Sequence, residues 1–386
     1  MPAIYQVECL KILVAGHTYM VAENQKKLAA LAQLPGVALA AIVPHRWHEP
    51  LQNELRPQRT ADARWQLYPT RVALAGNEMR YIYLSRDLHM QQLQPDVLLV
   101  ENGAGAFAYT QFLICRRKYA PRARAVFFTW WNLPYRARAP LHKLEQWNLR
   151  QSQGAIAGNQ AAAATLRARG FTGALEVLPQ LGVDTTHFAP RKNAALRSEC
   201  NWRAVVIGYA GRLVAEKGLR VLMRALEQVR GDFQLVLMGR GPLAAEISAW
   251  GAGLPSGQRV HIQATVPHAD VPQWMNAMDL LVLPSLTTNF WIEQFGHVLI
   301  EGMACGLPVV ASDSGAMAQV VGAAGTVVPE GNVPALAAAL QQLVDDAPRR
   351  EMLGAAGRAR VLAQFTHAEV AQQTYAFLQQ VVAAPM

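Results

Sequence analysis

The sequence predicts an α/β protein made of two doubly wound parallel-sheet domains, on three observations. Short apolar runs alternate with helical-period stretches twice, over residues 11–169 and again over 204–364, the pattern of a parallel sheet covered on both faces. Apolar residues make up 52% of the chain and charged residues only 16%, which argues against disorder and for large buried sheets. At 386 residues the chain exceeds one ordinary core, so the two series read as two domains.

The first series opens with a short strand, Lys11–Ala15, running into Gly16. Asn24–Leu34 has helical spacing, with Leu28, Leu31 and Leu34 on one side, and Pro35-Gly36 stops it. Val37–Val43, Arg80–Leu84, Val97–Val100, Ala125–Thr129 and Ala155–Ala157 are the next apolar runs, with helical stretches near 106–118, 139–150 and 160–169. Segment 45–78, with Trp47, Trp65 and several arginines, reads as an irregular loop region at a cleft mouth.

Gly182–Arg203 is poor in apolar residues and holds Pro190, Lys192 and Arg197, as a linker does. The second series runs through strand Ala204–Ala210, helix 218–229, strand Gln234–Met238, helix 242–250, strand Val260–Gln263, helix 271–278 and strand Leu280–Pro284. Strand Pro308–Ala311 and helices 333–346, 349–364 and 368–382 complete it. The expected organisation is a domain over 1–184, a linker over 185–203, a second domain over 204–364 and a terminal helix over 365–386 crossing back to the first domain. Open α/β sheets bind ligands beyond the carboxyl ends of their strands. Two such sheets facing a central cleft would hold a ligand between them.

Charge is unevenly placed. Through residue 190 there are 21 Lys and Arg against 12 Asp and Glu, and the remainder has 15 of each. The whole +9 excess therefore lies in the first half, densest at Arg116, Arg117, Lys118, Arg122 and Arg124. Two readings stand: an anionic partner such as a membrane surface, a lipid diphosphate or an acidic glycan, or a plain solvated basic face. The four cysteines are scattered without a Cys-x-x-Cys pair, so free thiols in a reducing cytoplasm are expected, not disulfides or zinc. No apolar run approaches a membrane span and the start lacks the order of a signal peptide. The expected location is cytoplasmic, peripheral at the inner membrane face if the anionic partner is a membrane.

The chemistry-bearing residues fall in the second half. Gly211-Arg212-Leu213-Val-Ala-Glu216-Lys217-Gly218 follows a strand. Two cations at a strand-to-helix junction suit a diphosphate, whose charge they stabilise as it departs; solvated surface charges are the plain alternative. Gly239-Arg240-Gly241-Pro242 lets backbone approach a nucleotide, or is simply a tight turn. Glu293 and Glu301 then stand eight residues apart around Phe295-Gly296. Glu293 precedes a helix and Glu301 lies about one turn inside it, so both can accept from sugar hydroxyls while the helix N-terminus offers N–H groups to phosphates. A purely structural Glu301 is disfavoured, because an unpaired buried carboxylate is costly.

Taken together, Gly211-Arg-Leu-x-x-Glu-Lys-Gly218, Pro284-Ser285, Glu293-Gln-Phe-Gly296 and Glu301-Gly-Met-Ala-Cys-Gly-Leu-Pro308-Val-Val resemble the retaining glycosyltransferases of family 4 (glycosyl transferases group 1), which have the GT-B fold. Gly182-Val183-Asp184-Thr-Thr-His-Phe188 resembles the same family's entry to the linker. The resemblance covers the last two hundred residues well and the first domain loosely. It implies that Arg212 and Lys217 hold the donor diphosphate and that Glu293 contacts donor-sugar hydroxyls near the reacting carbon. Phe295, Gly296, His297 and Val298 would line the helix start, and Glu301 would grip the ribose hydroxyls.

Four departures stand out. After the strand at 308–311 the chain has Ser314-Gly315-Ala316-Met317-Ala318-Gln319, keeping one expected Gly and replacing a second Gly, a Pro and a Glu. The loop Leu286–Ile292 is long. Thr129-Trp130-Trp131-Asn132 stands where the family often has His-Asp facing the donor sugar. Trp130 or Trp131 can stack on a sugar face and Asn132 can bond hydroxyls, or the tryptophans can pack in the core. Gly16 and His17 in Ala15-Gly16-His17-Thr18 stand where the family has a glycine-rich loop, and His17 faces the cleft or is structural.

The expectation is transfer of a sugar from a nucleotide-diphospho-sugar, of UDP-sugar or GDP-mannose type, to an acceptor hydroxyl with retained configuration. The acceptor is a glycan or lipid-linked intermediate of cell-envelope or exopolysaccharide synthesis, or a soluble small molecule. No cofactor and no metal is needed, since Asp-x-Asp is missing and Asp345-Asp346 falls in a late helix; no nucleic-acid partner is expected. Three rivals remain: a nicotinamide oxidoreductase, for which Ala15–Met20 lacks Gly-x-Gly-x-x-Gly, a nucleotide-sugar epimerase of the same fold, and a non-catalytic sugar- or lipid-binding module.

Overall fold

The computed structural model of the protein describes residues 9–48, 54–60, 64–135, 138–255 and 258–385. The chain forms two compact units, one from Met1–Gly182 with His367–Met386 and the other from Val183–Thr366.

Unit 1 contains strands β1 (Leu10–Ala15), β2 (Val37–Pro44), β3 (Gln66–Thr70), β4 (Val72–Ala73), β5 (Ile82–Tyr83), β6 (Val97–Val100), β7 (Arg124–Thr129), β8 (Gly154–Ala157) and β9 (Ala174–Val177). Seven of them form a parallel sheet in the order β3-β2-β1-β6-β7-β8-β9, with Ile12 beside Leu39 and Val97. Every residue of β6 and β8 is buried, as expected where helices cover both faces. The helices are α1 (Gln25–Ala32), α2 (Met90–Leu93), α3 (Phe107–Tyr119), α4 (Leu141–Gln151) and α5 (Gln160–Ala168).

Segment 45–78 is not one irregular loop. It carries β3, paired from Ala40↔Gln66 to Pro44↔Thr70, and Trp47 and Trp65 are buried. β3 is an edge strand and bonds one neighbour only, so it tolerates Pro69 and needs no continuous apolar run to announce it. The run at 80–84 does not join the main sheet: only Ile82–Tyr83 is extended, in an antiparallel hairpin with β4. The basic cluster is also less available than its spacing implies. Arg116 is buried and donates to Ala123 O and Gln153 Oε1, each at 3.0 Å, while Arg124 donates to the Ala384 carbonyl.

Unit 2 begins with α6 (Ala194–Glu199) and contains β10 (Val205–Ala210), β11 (Phe233–Met238), β12 (Gln258–Gln263), β13 (Leu280–Leu283), β14 (Val309–Ser312) and β15 (Thr326–Val328). Its helices continue with α7 (Leu219–Leu226), α8 (Ala244–Ala252), α9 (Val271–Met275), α10 (His297–Ala304), α11 (Met317–Val321), α12 (Val333–Asp345) and α13 (Ala347–Gln364). The strands form one parallel sheet in the order β12-β11-β10-β13-β14-β15, with Ile207 beside Leu235 and Leu280. Residues 185–203 lie within this unit and are tied to it. Arg197 makes two bonds to the Asp279 carboxylate, at 2.9 and 3.0 Å, and Arg191 N donates to Asn276 Oδ1 at 2.6 Å.

Helix α14 (His367–Ala383) belongs to unit 1, where it packs against α1 and over Gly154, beside which Phe377 and Val381 lie. In both sheets the strand order reverses once, at β1/β6 and at β10/β13. Such a point opens a crevice at the carboxyl ends of the strands, and the candidate residues gather there.

Candidate functional site

In unit 2 the loops leaving β10, β13 and β14 meet at the carboxyl edge of the sheet. Gly218 makes the first meeting possible: its φ is +70° and a Cβ there would lie 1.8 Å from Pro284 O. Only glycine admits both the left-handed backbone and that approach. Leu286 N donates to Glu216 O at 2.8 Å and joins the two loops.

This brings Lys217 to Glu293. The ammonium Nζ lies 2.6 Å from Glu293 Oε2, and Ser285 Oγ donates to the same oxygen at 2.8 Å. The ammonium also lies 4.8 Å from the centroid of the Trp291 ring, a cation–π contact. The main chain of Glu293 is held by the loop after β14. Ala316 N donates to Glu293 O at 3.3 Å, and Gly315, at φ +59°, approaches so closely that a Cβ would lie 1.8 Å from that oxygen. The single glycine retained in that divergent loop therefore packs against the backbone of the first acid.

Arg212 is exposed and lies 3.4 Å from Glu216 Oε1. Its carbonyl accepts from Tyr209 OH at 2.7 Å. Burial, followed by the negative charge of Glu293, pushes the Tyr209 phenol well up, so it stays protonated as a donor. Arg240 of the glycine-containing loop braces the same turn, its carbonyl accepting from Leu213 N at 2.8 Å.

Helix α10 starts at His297 behind Gly296, and no side chain among the described residues caps it. The first-turn N–H groups of His297 and Val298 are of the kind that bind phosphate at a helix N-terminus. Phe295 is buried against Phe365, with ring centroids 5.8 Å apart, and lies 5.1 Å from His297. Burial lowers the His297 pKa below its ordinary value, while the nearby Glu301 carboxylate works against the shift. Glu301, one turn into α10, has Oε1 3.7 Å from His268 Nε2, and Phe188 packs edge-on to that imidazole at 5.5 Å. Asp345 and Asp346 lie far along the chain in helical roles: Asp345 accepts from Gln341, and Asp346 caps α13 by accepting from Arg349 N.

Unit 1 has its own polar cluster at β1/β6. Glu101, directly after β6, is buried and pairs with buried Lys27 at 3.1 Å. Tyr19 OH donates to Glu101 Oε1 at 2.5 Å and Gln180 Nε2 to Oε2 at 2.7 Å. Trp130 Nε1 donates to Gln180 Oε1 at 2.8 Å, and its ring covers Gly158. Gly16 abuts the Glu101 side chain, while His17 stacks on Trp47 with centroids 4.7 Å apart and lies 3.4 Å from Glu78. Trp130 is thus held by packing and by its bond to Gln180, whereas Trp131 is exposed and Asn132 buried.

The structure therefore joins Lys217 with Glu293, and Glu301 with His268, within unit 2, and places Gly16 and Trp130 around one buried carboxylate in unit 1. Sequence reasoning named Ser285 in a motif without giving it a role, and missed Tyr209, His268 and the whole Lys27–Glu101–Gln180 network. One signal was available: Ser285 and Glu101 each stand just past the strand that follows the sheet reversal, where an open α/β sheet places its ligand contacts.

Residues 204–346 match the family model described as glycosyl transferases group 1. A similar curated protein is the GDP-mannose-dependent alpha-(1-6)-phosphatidylinositol monomannoside mannosyltransferase of Mycolicibacterium smegmatis, 34% identical over 200 residues, covering 49% of this chain and 52% of that protein. The chain spans about half the length of the curated relatives it matches. The fold is similar to that of sucrose-phosphate synthase from Thermosynechococcus elongatus, with TM-score 0.70 and 19% identity over 97% of this chain and all of that one. It is also similar to Anabaena HepE in complex with UDP, with TM-score 0.69 and 18% identity over 96% of this chain and all of that one. Residues 204–346 are thus similar to the glycosyl transferases group 1 family, and the two parallel-sheet units have the GT-B fold.

Proposed function

We propose that this protein is a retaining glycosyltransferase. It moves a sugar from a nucleotide-diphospho-sugar to a hydroxyl of a glycan or lipid-linked acceptor in cell-envelope or exopolysaccharide synthesis. The observation that carries the reading is the Lys217–Glu293–Ser285 contact, with Nζ 2.6 Å from the carboxylate, beside the uncapped start of α10. Positive charge and phosphate-binding N–H groups stand on one side, and an acid able to bond hydroxyls stands with them.

The donor diphosphate lies across the α10 N-terminus, with Lys217 and Arg212 on its oxygens. Glu293 holds donor-sugar hydroxyls and Glu301 the ribose hydroxyls. The bond from the anomeric carbon to the diphosphate oxygen breaks and the diphosphate leaves with the electron pair. The acceptor oxygen bonds to that carbon, and its proton is released to the nucleoside diphosphate and solvent. The transition state is oxocarbenium-like. Its stabilisation comes from cations and dipoles aimed at the departing diphosphate, with Lys217, Arg212 and the helix dipole serving where other enzymes use a divalent cation. A donor of GDP-mannose or UDP-sugar type fits the GDP-mannose dependence of the mannosyltransferase relative and the UDP bound to the structural neighbour. The phosphatidylinositol mannoside acted on by that relative supports a lipid-linked acceptor and, with the basic unit 1, a place at the inner membrane face. No helix among the described residues is long and apolar enough to cross a membrane.

A panel of nucleotide sugars, scored by thermal stabilisation and nucleotide release, tests the reading. One or two donors are expected to stabilise the wild type. Lys217→Ala and Glu301→Ala each weaken donor binding by about tenfold or more, the scale of a lost charge-assisted hydrogen bond, without lowering helix content. Full turnover in either variant contradicts the assignment.

A further inference from the structure

Ten large apolar side chains are exposed among the described residues, and five of them belong to the β4–β5 hairpin and the adjoining α3 of unit 1. In the hairpin Val72 faces Tyr83 and Ala73 faces Ile82. Val72 and Tyr83 turn inward and are buried, so the alternate positions turn outward. Ile82 and Leu84 are exposed, 38% and 60% accessible, with exposed Arg80 and Arg86 before and after them along the chain. Leu74 and Met79, in the connection between the two strands, are exposed as well.

Helix α3 continues this face. Gln111 replaces a third strand: its side chain accepts from Tyr83 N at 2.9 Å and donates to Tyr83 O at 2.7 Å. Cys115 Sγ lies 3.7 Å from Arg86 O. These bonds lay the helix along β5 and set Ile114, 56% exposed, beside the hairpin, with exposed Arg117 and Lys118 one turn on.

Of the cations of this face, Lys118 lies over the Tyr119 ring with Nζ 5.2 Å from its centroid. Arg71, Arg80, Arg86, Arg117 and Lys118 make no ion pair among the described residues. The nearby acids are engaged: Glu78 pairs with His17 at 3.4 Å, and the Asp87 carboxylate accepts from His89 N at 3.3 Å. A cluster of exposed large apolar side chains marks an interaction surface. Ringed by unpaired arginines, it complements anionic headgroups above an apolar interior. We propose that the β4–β5 hairpin and the adjoining face of α3 dock unit 1 onto an anionic lipid surface, with Ile82, Leu84 and Ile114 entering the interface and the arginines on lipid phosphates. Arg71, Arg80 and Arg86 lie outside the 116–124 cluster, which adds Arg117 and Lys118 while Arg116 and Arg124 are committed within the fold. The inference rests on the membrane-side reading of the acceptor, but its test needs no sugar.

The full chain is co-sedimented with phosphatidylcholine vesicles and with vesicles containing phosphatidylglycerol, at low and high salt. Binding is expected only to the anionic vesicles and weakens with salt. R80Q/R86Q lowers it by about tenfold or more and touches no apolar contact; L84E/I114E lowers it comparably. Both variants keep the wild-type thermal midpoint and wild-type nucleotide release with a soluble acceptor. Equal binding to both vesicle types, or wild-type binding by R80Q/R86Q, overturns the proposal. So does a lipid-free dimer that L84E/I114E converts to monomer, which would assign the face to a second copy. Failure of transfer appears only in nucleotide release and failure of docking only in sedimentation, so the two outcomes remain separate.

Discussion

The decisive residues in unit 2 are ordinary side chains made unusual by their neighbours. Lys217 and Glu293, 76 positions apart, are brought to 2.6 Å with Ser285 and Trp291 around them. The residue types at 212, 217, 293 and 301 were legible in the sequence because two cations at a strand-to-helix junction gain meaning when the paired acids follow some eighty residues later. Their partners' roles were not, since nothing local in Ser285 or His268 shows that it meets Glu293 or Glu301. His297 gives a pH signature. Burial depresses its pKa, so the folded state resists the imidazolium form. Below the ordinary histidine value of about 6.5 the unfolded chain takes up a proton that the folded chain refuses. Stability contributed by this site is therefore full at neutral pH and declines as pH falls through that value. His297→Gln is expected to flatten the dependence of thermal midpoint on pH between about 7 and 5.5, around the unperturbed histidine pKa. An unchanged slope would show that His297 titrates normally.

At the scale of elements, central strands and long helices were readable and edges were not. Val97–Val100 and α12 to α14 announce themselves by continuous apolar runs and helical period. β3 and β9 are short, mixed edge strands whose extended state is imposed by one neighbour. The loop after β14 shows the opposite case, in which a divergent sequence keeps the element's job through one residue. Gly315→Ala places a methyl group 1.8 Å from Glu293 O at φ +59°. The left-handed backbone alone costs about 1–2 kcal/mol. Displacement of Glu293 adds a loss of turnover larger than the loss of stability implies. Urea unfolding and nucleotide release check the two parts; a variant with wild-type turnover would separate this loop from the site.

Across the whole molecule the same sheet order appears in both units, reversing at β1/β6 and at β10/β13, and each reversal carries a buried or half-buried acid paired with a lysine. The duplication was legible from alternation along the chain, but the unit 1 pair was not, because Lys27 follows Gln25 and Lys26 in the first turn of α1 and nothing local marks it as buried. Its burial makes it structural: Lys27→Met leaves Glu101 without its counter-ion and is expected to destabilise the chain by about 3–5 kcal/mol. Adding Glu101→Gln should return part of that loss, measured by urea unfolding of the single and double variants. Strict additivity would mean the two side chains do not interact.

The central claim is that unit 2 grips a pyrophosphate-linked sugar through Lys217, Arg212, Glu293 and Glu301 at the start of α10. A crystal structure with a bound nucleoside diphosphate tests it most directly. The account places the phosphate oxygens within hydrogen-bond distance of the His297 and Val298 N–H groups and of Lys217, with the ribose hydroxyls on Glu301; a nucleotide bound anywhere else would contradict it.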